Sequence, residues 1–197
     1  MAHETYKTEG FVLGGVATGE AHRYISLYTK ELGLVRGVAR SVREERSKLR
    51  YALQDFSYGR FSLVRGKEVW RVVGAEAEWN LYHACALDRE RVRIAASAFV
   101  LLRRLLQGEG ENRILWDALL SGAAFLREYT DDASTLDIFE HVFVLQILYA
   151  LGYVRRPSRF EELLDAPLFT ADRLAAFSPL RSTLALHINR ALEESQL

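Results

Sequence analysis

The sequence predicts a two-part fold, an N-terminal all-β barrel of five strands followed by a C-terminal all-α helical bundle. Three observations predict it: apolar residues recur with period two up to about residue 79, turn residues punctuate that region, and the period becomes helical from about residue 80. The expected domains are residues 1–79 and 80–197. No flexible linker separates them.

The β region contains five segments rich in Val, Ile, Phe, Tyr and Trp: GFVLGGV, HRYISLYT, LVRGVARS, FSYGRFSLV and EVWRVVGAE. Thr18-Gly19-Glu20, Gly33 and Arg65-Gly66-Lys67 supply the turns between them. Five short strands in some eighty residues favour a small closed barrel, because an open sheet of that size leaves long edges unpaired. A helical or irregular insertion after the third strand gives the OB pattern, and residues 42–53 occupy that insertion.

In the helical region, DRERVRIAASAFVLLRRLLQ begins at an acidic N-cap, Asp88, and its pattern stops at Gly108 and Gly110. ENRILWDALLSGAAFLREY follows. STLDIFEHVFVLQILYALGY comes next, with Ser134 as its expected cap and Gly152 and Pro157 closing it. The last amphipathic helix, SPLRSTLALHINRALEES, carries Leu184, Ile188 and Leu192 on one face and Pro179 just inside its start.

Composition narrows the function classes. The chain has 197 residues, 49% hydrophobic and 26% charged, which is ordinary for a globular protein with a real core. A single cysteine, Cys85, excludes an intramolecular disulfide and a CxxC zinc site, and fits a reducing compartment. No signal peptide is visible, and the stretch IFEHVFVLQILYALGYV carries too many polar residues for a membrane span, so a cytoplasmic protein is expected. GGVATGE lacks the Lys-Ser/Thr of a phosphate-binding loop, and the five histidines show no metal-ligand spacing. His141, within the most apolar helix, is expected as a hydrogen-bonded core histidine. The adjacent acids Asp131-Asp132 and Glu161-Glu162 fit helix starts or loops. No constellation resembles an active site, so neither an enzyme nor a bound metal or cofactor is expected.

Charge is the informative feature. The net charge is zero, yet residues 36–71 carry ten Lys/Arg against four acids, while residues 80–197 carry thirteen Arg against sixteen acids. Arg36 and Arg40 share a strand face with Val38 between them, opposite Val35, Gly37 and Ala39. If residues 42–53 are helical, Val42, Leu49 and Leu53 form one stripe. Arg43, Arg46 and Arg50 gather on one flank of it and Glu44 and Glu45 on the other. With Lys48, this cluster fits phosphate recognition better than a solvated face. Tyr24 and Tyr28 share a face of the neighbouring strand; they either stack on nucleic-acid bases or cover the junction with the helical domain. Arg65, Lys67 and Arg71 either extend the surface or form a charged turn. A non-catalytic protein-interaction adaptor, with Arg103 and Arg104 beside Leu105 and Leu106 receiving an acidic peptide, is one alternative. An RNA-binding protein is another.

The runs EGFVLGGVATGEAHRYISLYTKELGLVRGVARS and SKLRYALQDFSYGRFSLVRGKEVWRVVGAE resemble the N-terminal domain of the RecO family of bacterial recombination mediators. The matching pieces are Gly19-Glu20, Arg23, Thr29, Gly33, Val38-Ala39, Ser47-Lys48-Leu49 and Ala75-Glu76; LQILYALGY and the terminal helix are similar in layout. The resemblance implies an OB-fold joined to a helical domain, binding to single- and double-stranded DNA, and annealing of complementary strands. It also implies recombinase loading together with RecR and a contact with the acidic C-terminal tail of single-stranded DNA-binding protein. This sequence departs from the family at His22, where an acid is usual, and at Ser41, where glycine is common. GYVRRPSRFEEL lacks the zinc-binding cysteines of some members.

Overall fold

The computed structural model describes residues 4–129, 133–155, 164 and 169–194. Asp131, Asp132, Pro157, Glu161 and Glu162 lie outside the described residues. The five β segments form β1 (Thr5–Thr18), β2 (His22–Thr29), β3 (Gly33–Ala39), β4 (Ser57–Arg65) and β5 (Trp70–Asn80). β1 is longer than its apolar core because it serves two neighbours: Thr5 to Phe11 pair with β4, and Gly10 to Thr18 pair with β2. A register shift between Val12 and Gly14 bends it from one partner to the other.

Alternation places Val12, Ile25, Leu27, Val35, Ala39, Phe61, Leu63, Trp70 and Val72 inside the barrel. Burying each of the larger side chains in this set stabilises the fold by about 1.5–3 kcal/mol. Val42 and Leu53 join this core and Leu49 packs against it, so the stripe seen in the sequence is real. The helix expected to carry it is not: residues 41–48 form turns, and only α1 (Leu49–Ala52) is helical.

The fold-class expectation needs correcting. Pairing runs in the order β1-β2-β3-β5-β4, and the ring closes between β3 and β5 only through two parallel pairs, Gly37 with Trp70 and Val38 with Arg71. The five strands do close into a barrel, and its β3–β5 closure is short and parallel. What differs from expectation is that the N-terminal unit is not all-β. One compact unit comprises Met1–Ala86 together with Phe99–Asn112, and the other comprises Leu87–Ala98 and Arg113–Leu197. The second half of α3 (Arg89–Leu105) thus belongs to the β unit, where the Phe99 ring stacks on Phe56 at 5.1 Å and meets Phe11 at 6.0 Å. Between β5 and α3 lies the short α2 (Leu81–Cys85), capped by Asn80, whose side chain accepts from the His83 N–H.

In the second unit, Asp88 caps α3 as expected, its carboxylate accepting from the backbone N–H groups of Glu90 and Arg91. Burial works against the Asp88 charge, but these bonds and the Arg91 guanidinium outweigh it and hold its carboxyl below the usual range. Arg91 is itself buried and donates to the Leu126 carbonyl. α4 (Arg113–Glu128) and α5 (Ala133–Ala150) meet through the Phe125 ring stacked on Phe139 at 4.5 Å, and Phe139 stacks in turn on Phe143 of its own helix at 5.3 Å. Ser134, expected as a cap, lies within the first turn of α5. His141 is a hydrogen-bonded, half-buried residue whose Nδ1 donates to the Asp137 carbonyl.

The terminal helix begins later than the sequence pattern suggests. α6 (Ala171–Phe177) is followed by a 3₁₀ turn at Ser178–Leu180 that contains Pro179, and then by α7 (Arg181–Glu194). Leu184 and Ile188 of α7 are buried. Among the described residues no helix is long and apolar enough to cross a membrane.

Candidate functional site

Strand register defines a row across the outside of the sheet. Val16 of β1 stands opposite Tyr24 of β2, Tyr24 opposite Val38 of β3, and Val38 opposite Arg71 of β5 across the seam. Val16 is 72% exposed and Tyr24 49%, so this stripe presents an aromatic ring flanked by aliphatic side chains to solvent. Arg36 and Arg40 stand either side of Val38 on the same face of β3 and are both exposed, as strand parity requires.

Val38 and Arg40 continue into a groove of about 630 Å³ along the seam, lined also by Arg65, Gly66, Lys67, Glu68, Val69 and Arg71. Four cations line this groove and one acid. By contrast, a depression of about 520 Å³ at the start of β1 is lined by charges that already pair with one another, Lys30 with Glu9 at 3.6 Å and Arg60 with Glu76 at 3.3 Å.

Pairing separates the cations into two groups. Arg23 is committed to structure, pairing with Asp55 and donating to the Leu53 carbonyl, both at 2.5 Å. Arg65 lies over the Trp70 ring, 5.3 Å from its centroid, and pairs with Glu109 at 3.5 Å. Glu109 also accepts from Trp70 Nε1 at 2.8 Å. Arg36, Arg40, Arg46, Lys48, Arg50, Lys67 and Arg71 form no ion pair among the described residues. Nε of Arg71 is buried without a hydrogen-bond partner there. A buried guanidinium N–H in that state costs about 1–3 kcal/mol until an acceptor reaches it.

The basic segment differs from expectation in its geometry. Because residues 43–48 are turns, Arg43, Arg46 and Arg50 do not share a helical flank. The segment is tied instead to the β1–β2 turn: the Arg43 backbone N–H donates to the Ala21 carbonyl and its guanidinium to the Gly19 carbonyl, each at 3.2 Å. Arg46, Lys48 and Arg50 remain exposed.

Three expected contributors are corrected. Tyr28 is 1% exposed and its hydroxyl donates to the Asn112 carbonyl at 3.2 Å, so it cannot stack on a base. Burial also pushes its phenol above the ordinary tyrosine range. Tyr24 alone keeps the proposed role. Arg103 and Arg104 are exposed, but Leu105 and Leu106 beside them are buried, so the apolar half of an acidic-peptide site is missing there. Another depression, about 280 Å³, lies in the helical unit and is lined by Tyr153, Val154, Arg155, His187, Arg190, Ala191 and Glu194, with Arg190 paired to Glu194 at 3.2 Å. Among the described residues no group of three or more His, Cys, Asp or Glu side chains is placed to hold a metal ion.

Val16 was not singled out from the sequence, although the hairpin at Thr18 to His22 sets the register that brings it opposite Tyr24. Glu109 was missed for a different reason: it reaches Trp70 across 39 positions of chain, and no local pattern signals that.

Comparison with known proteins gives a consistent result. Residues 1–78 match the family described as Recombination protein O N terminal. A DNA repair protein RecO of Dehalococcoides mccartyi is 30% identical over 151 residues, covering 75% of this chain and 56% of the relative. The DNA repair protein RecO of Roseiflexus sp. is 29% identical over 161 residues, 82% of this chain and 54% of the relative. That of Synechocystis sp. is 36% identical over 76 residues, 39% of this chain and 28% of the relative. The chain thus spans just over half the length of the first two.

Proposed function

The chain belongs to the RecO family, and on that premise we propose that it binds single- and double-stranded DNA on the outer face of its sheet and anneals complementary strands. The observation that carries the reading is the set of unpaired cations, Arg36, Arg40, Lys67 and Arg71, around the exposed stripe of Val16, Tyr24 and Val38. Cations left without carboxylate partners are available to phosphates, and each phosphate bound releases condensed counterions. Tyr24 supplies a stacking surface that any base can use. Arg43, Arg46, Lys48 and Arg50 extend the positive surface beyond β3, and Arg65 joins it once a phosphate displaces Glu109.

Annealing follows from the electrostatics. Two complementary strands repel through their phosphates, and a protein that neutralises both lowers that barrier without a catalytic step. Cooperation with RecR in loading recombinase is part of the same proposal. The acidic tail of single-stranded DNA-binding protein is assigned to the depression beside Arg155 and Arg190, where cations adjoin Tyr153, Val154 and Ala191.

Replacing Tyr24 with Ala tests the stacking role. Loss of one base stack costs about 1–3 kcal/mol, so single-strand affinity should fall about tenfold with the salt dependence unchanged. Unchanged affinity would remove Tyr24 from the interface. Challenging the bound strand with RNA, duplex DNA and an acidic peptide separates the DNA reading from the RNA-binder and adaptor readings. Displacement by the peptide alone would favour the adaptor.

A further inference from the structure

Ser41 joins β3 to the basic segment and adopts φ 52°, a left-handed conformation that an L-residue holds only against a steric cost. Its backbone N–H does not point idly to solvent. It donates to Nδ1 of His22, at 3.1 Å, on the first residue of β2. Two residues on, Arg43 makes its two contacts to the carbonyls of Ala21 and Gly19. The start of the basic segment is therefore fastened to the β1–β2 turn at three points, and only one of them includes a titratable acceptor.

Nδ1 can accept this bond only while it carries no proton, which requires the neutral ring with its hydrogen on Nε2. A protonated ring presents N–H on both nitrogens, so two donors would face each other across the same gap. Imidazole is the side chain suited to change state between about pH 5 and 8. The charged groups on the elements that meet at this contact are Glu20 in the turn, Arg23 on β2, Arg40 just after β3, and Arg43, Glu44 and Glu45 in the segment. Of these, Arg23 is already occupied by Asp55, and Arg43 spends its guanidinium on the Gly19 carbonyl.

We propose that His22 is a positioning residue which holds the basic segment against the β1–β2 turn when neutral and releases it when protonated. The consequence for DNA rests on the reading above. Release moves Arg43, Arg46, Lys48 and Arg50 away from fixed positions beside Arg40, so that binding weakens in acid although the ring has gained a positive charge.

The test compares the wild-type protein with His22→Asn, whose amide oxygen can take the place of Nδ1 and does not titrate, and with His22→Leu, which has no acceptor. The Ser41 amide is followed by NMR, and single-strand affinity is measured at fixed ionic strength, both from about pH 8 to about pH 5. The wild-type Ser41 amide should shift with acidification and that of His22→Asn should not. Wild-type affinity should fall about fivefold relative to His22→Asn across the range, the size expected for one hydrogen bond. His22→Leu should bind weakly at both ends. A common pH profile for wild type and His22→Asn, or a wild-type Ser41 amide that does not respond, overturns the proposal. Absence of salt-dependent binding by wild type at the alkaline end would defeat the DNA reading, and the Ser41 amide would then decide the latch alone.

Discussion

Reversing Arg36, Arg40 and Lys67 to Glu together should reduce single-strand affinity by at least about a thousandfold, since each charged hydrogen bond lost is worth about 1.5–3 kcal/mol and each new carboxylate repels phosphate. All three side chains are exposed and none has an ion-pair partner among the described residues, so the folded state loses no ion pair on substitution. Circular dichroism and thermal unfolding should therefore match the wild-type protein. The control is a second triple reversal with the same net charge, at Lys7, Lys30 and Arg60, which line the depression at the start of β1. If both variants lose binding equally, net charge governs association and the face built around Tyr24 has no special role. Loss confined to the first variant places the DNA on that face.

The largest effect on stability is expected at Gly33. Its φ is 66°, and a Cβ there would stand 2.1 Å from the carbonyl oxygen of Gly110. The neighbouring bonds are specific: Thr29 Oγ1 donates to the Gly33 carbonyl, the Gly110 N–H donates to the Leu32 carbonyl, and Gly33 bridges to Glu109. Gly33→Ala must push the segment at Glu109 and Gly110 outward, which also withdraws Glu109 from Trp70 and Arg65. Strained backbone and overpacking together cost about 3 kcal/mol or more. For a chain of this size that lowers the melting temperature by roughly 10 °C. Gly19 provides the comparison, because its φ is 57° but nothing lies within 4 Å of a Cβ placed there. Gly19→Ala should cost only about 1 kcal/mol. Equal effects at the two positions would mean that the Gly110 contact contributes nothing.

These two results bear on how much of the protein can be read from its residues. β2 was legible because HRYISLYT alternates cleanly, and Ile25 and Leu27 do face the core. The same parity rule set Tyr24 and Tyr28 on one face, yet only Tyr24 is exposed. Tyr28 pairs with Phe11 and Leu34, both buried, and is covered by a segment that returns to the sheet 84 residues later. Period-two patterning reports which side of a strand a residue occupies, and it is blind to what the rest of the chain lays over that side.

The basic segment shows the complementary limit. Its apolar residues Val42 and Leu53 were correctly assigned to the core by spacing. The helix inferred from that spacing failed because Ser41 turns into the left-handed region and Arg43 bonds back to the β1–β2 turn. The contacts of Ser41 and Arg43 to that turn join segments about twenty positions apart, outside any helical window. The unit boundary was missed for a related reason. α3 is one continuous amphipathic helix in sequence, and its Phe99 packs against the β unit only because Phe11 and Phe56 are there to receive it.

The central claim is that unpaired cations on this sheet face neutralise DNA phosphates, and the salt dependence of single-strand affinity tests it most directly. With about six phosphates engaged, log affinity should fall against log salt with a slope near −4, and the Arg36, Arg40 and Lys67 reversal should reduce that slope to about −2. A slope near zero, or one that the reversal leaves unchanged, would contradict the account.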